Sequence, residues 1–350
     1  MPFDDRFVDQ LAQKLAAPIA ALEQRRITLR KQRPQRILRG ILRVVSAIAT
    51  FVVVLVVMAK LGIGGGAWIL LPLVLAGLVS TLFGSGPQRS LKDEAAAALI
   101  PPIQDALKDA GQPFDYHRAP QYKQDAERFR SLGVIGRFNR SRFRDLISGT
   151  HRQVDYRMVT ANLSLHRSSG RRSSGAHLGG AAGSSIGTSE TLGVFTGLLL
   201  ELSVPSEICG TVLITADFGR IGNALAGFAK GIRSMQRVRF DDPAFEARFA
   251  VYAADPQAAT AALPPVIRDG LRLLDERFGE KTAAGVQGAF DGGTFFLALP
   301  TDRTLMQPID YGTPLQDPQW IVERLLERIL IATEVIDILH GADRAGSTSP

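Results

Sequence analysis

Between Arg43 and Arg89 the only charged side chain is Lys60. Two apolar runs flank it, Val44 to Ala59 (extendable back to Ile41) and Ala67 to Gly84, joined by Leu61-Gly-Ile-Gly-Gly-Gly66. A bilayer core is about 30 Å thick, and a helix crossing it needs roughly 17–25 apolar residues. Each run meets that length near its lower end, so little tilt is expected. Phe51-Val52-Val53-Val54-Leu55-Val56-Val57 has no polar face, whereas a helix on a soluble surface keeps one. Its β-branched residues lower helix propensity in water. In lipid every backbone hydrogen bond must close internally, which enforces the helix and tolerates Pro72 and Gly77 in the second run. The pattern predicts a hairpin that crosses a membrane twice, over about 41–59 and 67–84.

Charge sets the expected orientation. The chain of 350 residues carries a formal net charge of +7. Residues 1–43 hold ten Lys/Arg against four acids, a surplus of six, so the remainder carries +1. The basic character thus belongs to one membrane flank, which argues against a nucleic-acid partner. Positive flanks stay in the cytoplasm. The expectation is a multi-pass protein of the inner (plasma) membrane with both termini, and the body after the hairpin, in the cytoplasm. Cys209 is the single cysteine, so no intramolecular disulfide can form, as suits a reducing compartment. Its apolar surroundings, Ile208 to Ile214, mark it as a small buried hydrophobe.

Residues 1–36 read as an amphipathic basic helix. Phe7, Leu11, Leu15, Ile19 and Leu22 form one stripe over 3–31, with early acids and late arginines as the helix dipole favours and a kink expected at Pro18. Two uses of the stripe stand: self-association or contact with a membrane surface, and packing on the chain's own C-terminal domain. Arg36, Arg39 and Arg43 share a helix face and are the candidate lipid-facing residues. The bilayer itself is the expected partner.

A helical stalk follows over 88–112, capped by Ser90 and broken at Pro101-Pro102. From Phe114 to Gly341 the texture becomes α+β, with a mostly antiparallel sheet. Strands are expected at 143–147 and 154–165 around a Ser148-Gly149 turn, with Val159, Ala161, Leu163 and Leu165 alternating inward. Further strands are expected at 192–204 and 209–216 around Pro205-Ser-Glu207, and at 238–240. A hairpin of 284–290 and 294–299 is expected around Asp291-Gly-Gly293. Residues 255–278 read as helix interrupted near Pro264-Pro265, and Asp317-Pro318 opens the last helix, which Gly341 ends. Residues 342–350 form a polar tail.

Catalytic signals are weak. Gly183-Ser-Ser-Ile-Gly187 spells G-x-S-x-G, but it sits in the Gly/Ser-rich stretch 167–193 without the strand and helix that would strain Ser185 into a nucleophile. Arg171 and Arg172 in that stretch read as solvated charge. The glycines of 219–231 lack the order of a phosphate loop. His117, His151, His166, His177 and His340 have no partners at metal-ligand spacing, and Asp241-Asp242 before Pro243 reads as a turn or a helix start. No catalytic residue, cofactor site or metal site is assigned. Arg137-Phe-Asn-Arg-Ser-Arg-Phe-Arg144 reads as an edge strand or a surface facing acidic lipid.

The run Val238-Arg-Phe-Asp-Asp-Pro-Ala-Phe-Glu-Ala-Arg-Phe-Ala-Val-Tyr-Ala-Ala-Asp255 resembles a bacterial family known as domain of unknown function 3137. Asp145 to Thr150, Phe195 to Leu198 and Ala216 to Phe218 are similar to its other landmarks. The likeness spans about Phe114 to His340, with a longer Gly/Ser loop here. It implies one α+β domain on a membrane anchor and assigns no activity. Three roles follow as expectations: a cytoplasm-facing interaction or scaffold domain; a membrane-bound enzyme whose site gathers distant residues such as His117, His151 and Asp217; or a sensor of anionic lipid.

Overall fold

A computed structural model describes residues 4–31, 86–168, 189–216, 235–279, 285–302, 304–310 and 312–341. The apolar hairpin, Arg36, Arg39, Arg43, Ser185, the glycines of 219–231 and the C-terminal tail lie outside the described residues. No helix among the described residues is long and apolar enough to cross a membrane. The chain divides into two compact units, Met1–Ile103 with Met306–Arg324, and Gln104–Leu305 with Leu325–Pro350.

In the first unit, helix α1 (5–31) runs unbroken through Pro18. Asp4 caps it, its carboxylate accepting from the Phe7 N–H at 3.0 Å. Leu11, Leu15, Ile19 and Leu22 of the stripe are buried together with Val8 and Leu29, and Phe7 is half-buried. That face is buried inside the first unit. Helix α2 (Gly86–Asp109) begins a turn before Ser90 and continues through Pro101-Pro102. Ala97 and Pro101 are exposed and Ala98 and Pro102 only half-buried. The carbonyls that lose their proline donors therefore face water, which satisfies them.

The second unit is α+β. Its sheet has seven strands in the order β1-β2-β3-β4-β6-β5, with β7 on β4. They are β1 (Phe114–His117), β2 (Arg140–His151), β3 (Val154–Ser168), β4 (Ser189–Ala216), β5 (Gln236–Val238), β6 (Phe249–Ala253) and β7 (Gln287–Pro300). Every pairing is antiparallel. The helices are α3 (Lys123–Ser131), α4 (Pro243–Glu246), α5 (Pro256–Ala262), α6 (Pro265–Leu274), α7 (Pro318–Ile329, its start in the first unit) and α8 (Ile331–Leu339).

Several expected turns fall elsewhere or are absorbed into strands. The β2–β3 turn falls at Arg152-Gln153, not Ser148-Gly149: both residues have positive φ, 49° and 65°, the geometry of a two-residue turn that usually draws glycine or asparagine. Gly149 serves packing instead, since a Cβ there would lie 2.9 Å from the Pro113 carbonyl and the Tyr156 hydroxyl. Pro205-Ser-Glu207 does not turn the chain. The register jumps from Ser203–Thr294 to Ile208–Gly292, so residues 204–207 bulge out opposite Gly293 while β4 continues. Asp291-Gly-Gly293 likewise stays inside one long β7, with Gly292 at φ 59°. Finally, β3 and β4 pair out to Ser168–Ser189, which shortens the Gly/Ser loop at both ends. The expected strand at 238–240 sits two residues earlier, at Gln236–Val238.

The core follows the alternation. Val159, Ala161 and Leu163 of β3 share a buried cluster with Leu199, Leu213, Phe296 and Ala298, under Ala126 and Phe129 of α3. Phe129 meets Phe296 edge-on, centroids 5.1 Å apart. The neighbouring positions, Met158, Leu198, Leu200, Leu297 and Leu299, point to the other face and are equally buried. On the helical side α8 lies beside α6 and reaches β3, while α5 lies against β4.

Candidate functional site

Several polar side chains among the described residues of the second unit join its elements. Tyr122, just before α3, donates to Glu201 of β4. Arg157 of β3 donates to the same carboxylate at 2.9 Å and to Asp125 of α3 at 3.1 Å. Its guanidinium also lies over the Tyr122 ring, 5.3 Å from the centroid. One turn further along α3, Arg128 pairs with Asp291, whose other oxygen accepts from Thr211 at 2.9 Å. These charges fasten α3 across β3, β4 and β7.

A second cluster holds the sheet margin. Asp145 is buried at a β2 bulge with φ 55°. Its carboxylate accepts from Tyr116 at 2.6 Å and from Arg118, and its N–H donates to the Arg118 carbonyl at 3.1 Å. The phenols here do not act as bases. Burial and the facing carboxylates push Tyr122 and Tyr116 far above the ordinary phenol range, and burial alone pushes Tyr156 up to about 12. At neutral pH all three are protonated, and Tyr116 and Tyr122 serve as hydrogen-bond donors.

The described histidines do not converge, and His177 lies outside the described residues. His117 is exposed at the end of β1, paired with Leu146. His151 lies five residues further along β2, about 17 Å at the strand rise, where its Nε2 meets Asp337 of α8 at 2.8 Å. Asp217 lies outside the described residues. Among the described residues no three His, Cys, Asp or Glu side chains group as metal ligands. Asp242 caps α4, accepting from the Phe245 N–H at 3.1 Å, and Asp317 accepts from the Trp320 N–H at 3.1 Å.

The first unit holds the most telling polar arrangement. Glu23 and Arg26 form a two-pronged pair, both contacts 2.7 Å, with Arg26 only 4% exposed. Glu23 also accepts from the Leu315 N–H at 2.9 Å. The Arg26 guanidinium, seconded by that N–H, holds the Glu23 carboxyl below the usual carboxylate range. One residue before Arg26, Arg25 reaches Glu94 of α2 at 3.1 Å. Residues on either side of the long apolar segment are thus bound to each other. The stripe of α1 was legible in the sequence; the partners of Arg25 and Glu23, 69 and 292 residues away, were not.

Residues 193–340 match the sequence profile of a family described as "Protein of unknown function (DUF3137)". Over that stretch the chain is similar to the DUF3137 family. The matched stretch runs from β4 to the end of α8 and includes the Phe195 and Val238–Asp255 landmarks, whereas those of 145–150 precede it. None of the curated proteins matches this sequence. Among solved structures, the mycobacterial trehalose monomycolate transport factor A, TtfA, aligns over 64% of this chain and 90% of its own, with 11% identity and a TM-score of 0.29. A score that low does not equate the two folds.

Proposed function

We propose that this protein is a membrane-anchored interaction module, with a two-span hairpin and both termini in the cytoplasm. The Arg25–Glu94 and Glu23–Leu315 contacts carry the reading. They join residues before position 32 to residues after position 85 within one compact unit. A folded unit cannot straddle a bilayer, because its charges and backbone groups would lie in hydrocarbon. Any part of 32–85 that enters lipid must therefore come back, giving an even number of crossings. Four crossings need about 68 residues at the minimum length of roughly 17 each, and the segment has 54. Two crossings fit the two apolar runs. The positive excess of 1–43 assigns the cytoplasmic side.

A fluorescent protein that matures only in the cytoplasm and a phosphatase active only outside it, fused in turn to each terminus, test the topology. Fluorescence from both fusions, with the protein in the membrane pellet, is expected. Opposite results at the two ends, or recovery in the supernatant without detergent, refute the anchor. For the interaction role, proximity labelling from the C-terminus is expected to return the same protein neighbours in independent repeats; their absence refutes it.

A further inference from the structure

We draw no further inference here: the strongest candidate, the apolar surface patch that Val266 and Leu273 form two turns apart on one side of α6, carries nothing because nothing in the structure shows what covers it.

Discussion

Glu23→Ala isolates the contact on which the topology argument turns. It leaves the Arg26 guanidinium, 4% exposed, without its two 2.7 Å partners, and the Leu315 N–H without its acceptor. Breaking one side of a buried pair costs about 3–5 kcal/mol. Glu23→Gln keeps the shape and one acceptor oxygen and is expected to cost less, about 1–3 kcal/mol. The double variant Glu23→Ala, Arg26→Met removes the buried guanidinium together with its carboxylate, and it should recover part of the loss. Hydrogen exchange of the Leu315 amide in detergent-solubilised protein reports the local opening directly: a cost of about 3 kcal/mol speeds it roughly a hundredfold. Exchange in Glu23→Ala matching the natural chain, or a double variant worse than the sum of the singles, would refute the clasp. pH supplies an independent arm. The folded-state pKa of Glu23 is depressed. Its contribution is complete above the unfolded value of about 4.3 and is lost as pH falls through the folded value. Leu315 exchange should therefore rise on acidification below about pH 4, beyond the intrinsic trend, and do so in the natural chain but not in Glu23→Ala.

Other expectations can be checked on the second unit. Phe129→Ala removes a fully buried ring from the α3–sheet cluster and should cost about 3–5 kcal/mol in denaturant midpoint analysis. Gly197→Ala would set a Cβ 2.2 Å from the Leu299 carbonyl; since backbone cannot yield there, the β4–β7 pairing should fail and the yield of folded, detergent-extracted protein collapse, while Gly193→Ala, with open space around it, should be tolerated. Tyr156 has a folded value of about 12 against roughly 10 unfolded. Its stabilisation is therefore intact below pH 10 and lost between about 10 and 12, and a phenolate absorbance step coinciding with unfolding is expected. Arg157→Met should detach α3 by removing both the Glu201 and Asp125 contacts, read as faster exchange over 123–131.

Periodicity made much of the fold legible in advance. Val159, Ala161 and Leu163 announce a half-buried strand, the α1 stripe announces its buried side, and Asp242 and Asp317 announce helix starts, because each is a relation between residues a few positions apart. What tertiary structure decided was different in kind. Asp291-Gly-Gly and Pro205-Ser-Glu have the composition of turns, yet two long paired strands absorb both as irregularities in their register. Arg152-Gln153 makes a turn that its composition does not signal, because the flanking pairs of β2 and β3 fix it there. Glu23, Arg25 and Arg26 read as ordinary helix surface until Glu94 and Leu315 arrive from far along the chain. Local composition can write a propensity into the sequence, but whether that propensity is spent as a turn, a bulge or a clasp depends on which distant groups the folded chain brings within about 3 Å.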